Sequence, residues 1–393
     1  MPPGVTNNWA TAKAKLGLAD GVCRGRGLRL VGGGTFAPEC SLADEGLNKV
    51  EICAGIYLLA VNNSSELDNR LGVANGPVHV RSGASLVLAG AGGRMINGRT
   101  LHLAGAGVAA NCGAVHFAKG VSWERARSIT WELDDDATLS SDEPSLGNGT
   151  FLYAVINANG HTLTLKGGAY RFGWDCAWRG GGKMVVDGAV ITASPAKENE
   201  WPVWTTFKND AKNPGAFFFR NGAKLAPDTP ELLSMLDDVT FETADCVLGA
   251  TVGTREASLK MPRQYVFRRF SGTPTIEDVG NSKVVDEARS ISLSVTNCYV
   301  VRTADLLATP ARVLTVPTGA VSFSPECRFE LDEPNALSGG THTLCRVLGA
   351  SAAIEGRPRS AGATSDAAWV TRLAADRKEL LLRQMSGLMI SFR

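Results

Sequence analysis

The chain has 393 residues, 40 Lys plus Arg against 39 Asp plus Glu, and 44 glycines. A charge balance this even gives no field to draw nucleic acid or an anionic membrane surface. A hydrophobic share of 44% is enough to build a core, which excludes a disordered chain, and no apolar run is long enough to span a membrane.

Residues 1–74 read as an N-terminal cap and first coils. The opening MPPGVTNNWATAKAKLGL has no basic start followed by an apolar core, so no secretory signal is expected in this chain. Gly25 to Phe36, GRGLRLVGGGTF, is glycine-rich, but no helix-forming stretch follows it. It reads as turns between coils and not as a dinucleotide fingerprint. EICAGIYLLAV is the best buried strand of this zone.

Residues 75–193 are the most regular. A phrase of glycine, a short alternating apolar strand and glycine recurs as GASLVLAGAG, GRTLHLAGAG, GHTLTLKGG and GKMVVDGAVITA. Alternation puts Leu86 and Leu88, Leu101 and Leu103, and Leu163 and Leu165 on one strand face, with Val87, His102 and Thr164 on the other. Leu101 follows Leu86 by 15 positions and Met184 follows Leu163 by 21. Short strands this close leave no room for helices between them. The expected fold is therefore all-β, a single-stranded right-handed parallel β-helix (solenoid). Its coils take ~20–25 residues and stack at ~4.8 Å, giving a rod of roughly 60 Å. Asn-Gly pairs at Asn75, Asn97, Asn148, Asn159 and Asn221 keep a sandwich of hairpins as the alternative.

Residues 194–275 lose this regularity and are expected to be an irregular lateral insertion. TPELLSMLDDV is its best helix, with Thr229 as cap and Pro230 in the first turn. Strand patterning returns over 276–393, with C-terminal coils and a closing strand in KELLLR. The nine cysteines are scattered and form no CxxC pair, which fits single buried thiols better than a zinc module or a disulfide framework.

At the repeated glycine-bounded phrases, and again at ARVLTVPTGAVSFSPECRFELDEPNALSGGTHTLCRV, the sequence resembles the autotransporter-associated β-strand repeat proteins, with a pectate-lyase-like β-helix. That resemblance implies a bacterial passenger, secreted or at the cell surface, that serves as a stalk or adhesin. No translocator barrel follows it in this chain.

Four groups of residues are candidates for chemistry. Arg171, Trp174, Asp175, Trp178, Arg179, Trp201 and Trp204 form the densest aromatic and charged cluster, suited to a glycan groove or to packing at a coil junction. Asp134, Asp135 and Asp136 offer carboxylates for Ca²⁺, yet adjacent strand residues face opposite ways unless the backbone turns, so a solvated turn is the plainer reading. Asp175 with Asp187 or Glu198 is the nominal glycosidase pair, singled out by no spacing. His79, His102 and His116, in VHV, LHL and VHF, are expected at surface or stacked ladder positions. With no HExxH or HxH, no metal site is expected. No GxSxG, P-loop or kinase signature occurs, so no cofactor is expected either.

The first reading is a non-enzymatic scaffold that acts as a monomer and binds a glycan or a cell-surface protein, with no catalytic residue assigned. The alternative is a polysaccharide lyase or glycoside hydrolase of the pectate-lyase-like class.

Overall fold

The structure, a computed structural model, describes residues 6–8, 26–38, 41–43, 46–60, 68–73, 75–89, 99–119, 129–143, 150–152, 154–172, 176–193, 208–225, 237–249, 263–277, 291–360 and 369–384. The chain divides into two compact units, Met1–Phe217 and Phe218–Arg393. The division falls inside the zone where sequence regularity drops. Nearly every element is a strand in parallel register with the coil before and after it, as in a parallel β-helix.

In the first unit each coil carries two strands in the large sheet, separated by a corner. On one side Val50, Val78, Leu101, Trp131, Ile156 and Trp178 lie opposite one another in successive coils. On the other, Phe36, Tyr57, Leu86, Val115, Leu139, Leu165 and Val186 do the same. All of these side chains are buried. A third face is built by Thr150–Leu152, Ala169–Phe172 and Val190–Ala193. The cause is the alternation seen in the sequence. Period-2 strands with one apolar face stay in water only if that face is covered, and stacked coils cover it jointly.

The repeat length differs from the expectation in one respect. Leu163 does stack on Met184. Leu86 and Leu101, by contrast, belong to different ladders: Leu86 stacks on Tyr57 and Val115, Leu101 on Val78 and Trp131. Their 15-residue spacing separates two sides of the solenoid and is not one coil.

Corners are where glycine is required. Gly55, at φ +76°, turns the chain between the strands Lys49–Ile52 and Gly55–Ala60. A Cβ there would lie 2.3 Å from the Gly34 carbonyl oxygen and 2.6 Å from that of Gly32. Gly83, at φ +80°, has open space around it. Gly83→Ala is therefore expected to cost only the left-handed backbone term, about 1–2 kcal/mol. Gly55→Ala adds displacement of fixed backbone, for about 2–4 kcal/mol in all. Urea midpoints of the two variants check the order, and equal losses would show that the close approach is unimportant.

In the second unit Val239, Phe270, Tyr299 and Phe329 stack in register, and the rings of Phe241, Phe270, Tyr299 and Phe323 follow one another at 5.8, 6.2 and 5.5 Å. The unit ends differently from the rest. Thr341–Val347 pairs in parallel with Leu314–Val316, but Glu379–Gln384 pairs antiparallel with both Thr341–Val347 and Trp369–Leu373. The closing strand read in KELLLR is thus present, with Leu380 and Leu382 buried.

The described parts of 194–275 bear on two expectations. The described parts of that zone contain short strands, among them Lys208–Asn209, Asp238–Phe241, Val247–Leu248 and Arg263–Ser271, all in parallel pairs. Where described, the zone continues the coil pattern; residues 194–207, 226–236 and 250–262, on which the expected insertion also falls, lie outside the described residues. Most of the helix candidate lies outside the described residues, and its last part, Asp238 and Val239, begins a strand. Seven cysteines are described, all free thiols, and five of them are buried. Among the described residues no helix is long and apolar enough to cross a membrane.

Candidate functional site

The residues between the buried ones point outward and stack just as strictly. Arg29, Glu51, His79, His102, Glu132, Asn157 and Arg179 lie opposite one another in seven successive coils. Strand spacing sets them ~4.8 Å apart. The column is stitched by side chains. Arg29 approaches Glu51 at 3.7 Å, and the Asn157 amide donates to Glu132 at 2.6 Å. The His79 and His102 rings stack, with centroids 4.2 Å apart and planes 14° from parallel. The stacked-ladder placement expected for these two histidines is therefore observed.

A second set of charges joins the column from its corner. The strand Ile129–Ser141 runs through the corner without ending, and its register shifts between Leu133 and Ala137. This bulge lets three adjacent aspartates all face solvent, which a straight strand forbids. They do not converge. Asp134 reaches His102 Nδ1 at 3.0 Å and His79 Nδ1 at 4.0 Å. Asp135 and Asp136 instead approach His161 Nδ1, each at 3.9 Å. Arg81 links the corner to the column, donating to Asp134 Oδ2 at 3.1 Å and to Glu51 Oε1 at 3.0 Å.

These neighbours set the protonation states. The Arg81 hydrogen bond holds the Glu51 carboxyl below its ordinary range, with Lys49 and Arg29 acting in the same direction. Burial lowers the His79 pKa, with the charges of His102, Lys49 and Arg81 adding to it and Asp134 opposing. These contributions favour the neutral imidazole at His79.

A third constellation has the residue types of a nucleophilic triad. His116 Nδ1 is 2.8 Å from Ser140 Oγ, and its Nε2 is 3.2 Å from Asp142 Oδ2. Ser140 is only 3% exposed, and its oxygen accepts the Gly113 backbone N–H at 2.7 Å. A serine so enclosed cannot reach a polymer, and the set serves to tie neighbouring coils together.

Of the aromatic cluster, read as a glycan groove or as packing at a coil junction, Trp178 takes the packing place. Trp178 is fully buried, its ring 6.1 Å from Phe217, and its Nε1–H donates to the Gly181 carbonyl at 2.6 Å. It faces inward because it continues the Trp131–Ile156 ladder. Arg179, the next residue, is exposed and ends the polar column. Arg171 lies on the strand Ala169–Phe172. Trp174, Asp175, Trp201 and Trp204 lie outside the described residues, as does Glu198 of the nominal glycosidase pair.

Sequence reasoning did not connect Glu51, Arg81 and Asp134 with the histidines. The signal was the polar residue at the centre of each apolar triplet, KVEI, VHV and LHL, read across coils and not along the chain. No protein family, no curated protein and no solved structure matches the chain.

Proposed function

We propose that this chain is a non-catalytic binding scaffold of the secreted or cell-surface kind, and that the Arg29-to-Arg179 column is its ligand face. One observation carries the reading: seven outward polar side chains stand in register at a fixed repeat. A glycan or an extended protein segment also presents polar groups at regular intervals, so several rungs engage at once and weak contacts add up. The likeness of the repeats to autotransporter passengers supports placing such a face outside the cell.

Polysaccharide cleavage is the second reading. It is favoured by Asp134, Arg81 and His102, a carboxylate, a guanidinium cation and an imidazole within hydrogen-bond reach on an exposed surface.

A glycan array and a polysaccharide-cleavage screen on the full chain separate the two. The expected result is retention of a glycan with no new chain ends. Arg29→Ala combined with Arg179→Ala should weaken it about tenfold or more, the loss of two charged hydrogen-bonding groups. Turnover abolished by Asp134→Asn would replace the scaffold reading with an enzyme. Binding indifferent to the double variant would remove the column from the site.

A further inference from the structure

The His79, His102 and Asp134 cluster has a chemistry that ligand recognition along the column does not use. One ring nitrogen from each histidine and one Asp134 carboxylate oxygen all lie within 4.8 Å of one another. We propose that these three residues form a binding site for a zinc-class divalent metal ion, with the remaining coordination position open to solvent. This goes beyond the scaffold reading and does not depend on it.

The first argument is spacing. Bonds of ~2.0–2.2 Å in tetrahedral geometry separate neighbouring ligand atoms by about 3.3–3.6 Å. Asp134 Oδ1 stands 3.0 Å from His102 Nδ1 and Asp134 Oδ2 stands 4.0 Å from His79 Nδ1, so the carboxylate needs a small rotation to present one oxygen to an ion between the rings. Stacked rings aim their lone pairs nearly parallel, so each imidazole must swing for the pairs to converge. The torsion that swings it is the broad, soft one of histidine.

The second argument is an unmet polar atom. His79 Nδ1 is buried and has no hydrogen-bond partner among the described residues, although its side chain is 15% exposed as a whole. A buried nitrogen left this way is unfavourable, and native structures usually satisfy it. An ion between Asp134 and the histidine pair would satisfy it.

The third is the support around the carboxylate. While one Asp134 oxygen faces His102, the other accepts from Arg81, which Glu51 holds in turn. Metal-binding carboxylates are oriented by such outer partners. Arg81 and Lys49 are cations and oppose a dication, so affinity should be about micromolar and not that of a closed structural site. Two imidazoles and one carboxylate favour zinc and its transition-metal neighbours over calcium or magnesium. The side chains of His102 and Asp134 are 25% and 32% exposed, which leaves solvent access for the open position. The Asp135, Asp136 and His161 cluster lacks these supports. Its Asp136 and Asp135 oxygens accept the Thr162 and Asp136 backbone N–H groups, and both acids are more than two-thirds exposed.

The test uses the full chain, freed of metal by dialysis against a chelator and titrated with zinc alone. Calorimetry should show one equivalent bound, weakened at least tenfold by His102→Gln and by Asp134→Asn. Because either variant risks a folding defect, histidine acylation of the unaltered chain, mapped by mass spectrometry, gives a second readout. Zinc should slow modification of His79 and His102 at least tenfold and leave His116, held by Ser140 and Asp142, unchanged. Zinc that protects neither His79 nor His102, or that protects His161 in their place, overturns the proposal. So does binding that both variants leave intact.

Discussion

Arg99→Met is expected to lower the unfolding free energy of the first unit by about 3–5 kcal/mol. Arg99 is 1% exposed, although it sits in a turn-like NGRT sequence. Its guanidinium donates to three backbone carbonyls, those of Leu71, Gly76 and Gly72, at 3.2, 3.1 and 2.8 Å. Those carbonyls belong to a loop that is itself tied to the preceding coil, where the Val73 N–H donates to the Leu47 carbonyl at 2.7 Å. The Arg99 carbonyl in turn accepts from the Thr130 N–H of the following coil. The side chain therefore fastens its own coil to the loop before it, while main-chain hydrogen bonds carry the links to the levels on either side. Methionine fills much of the same volume and strands three buried acceptors, each an unfavourable loss of about 1–3 kcal/mol, partly offset because a buried charge is also removed. Lysine keeps the charge but not the fork, so Arg99→Lys should fall between the two. Urea denaturation measures the series. A midpoint for Arg99→Met within error of the unaltered chain would mean that water replaces the guanidinium, and the loop would then have to be wetter than its burial indicates.

Arg99 also shows where sequence reading stops. Alternation in LHL or TLTLK says which residues face inward, and Leu101, Leu103, Leu163 and Leu165 are all buried as read. It does not say which strand lies above which. Leu86 and Leu101 look like consecutive rungs and belong to different ladders, on different sides of the solenoid, which period-2 patterning does not record. Strand direction is equally invisible. ELLLRQ alternates in the same way whether its neighbours run parallel or antiparallel, and only the structure shows the antiparallel closure. The candidate site was hidden for the same reason. Asp134 is 32 residues from His102, and no linear motif spans that interval. Stacking converts one coil of sequence into a single strand spacing, so the constellation exists only after the coils are in register.

Trp178→Ala is expected to destabilise the same unit by about 3–5 kcal/mol. A Cβ on Gly215 would meet Trp178 Nε1 at 2.2 Å, so the chain there has a glycine because the indole occupies the space. Ile156 lies opposite it in one neighbouring coil and Asn209 in the other. Truncation leaves a void flanked on both sides by paired backbone that cannot collapse without breaking ladder hydrogen bonds, which places the cost toward the upper end of the range. Trp178→Phe keeps an aromatic ring but removes the donor from the Gly181 carbonyl, for a smaller loss of about 1–3 kcal/mol. The pair separates packing from recognition. A buried tryptophan should change the denaturation midpoint in both variants and leave glycan retention by the folded Phe variant unchanged. If Trp178→Phe instead left the midpoint alone and reduced glycan retention severalfold, the indole would have to be reachable by ligand. The inward register of the Trp131–Ile156–Trp178 ladder would then be wrong, and with it the assignment of the opposite strand face as the binding surface.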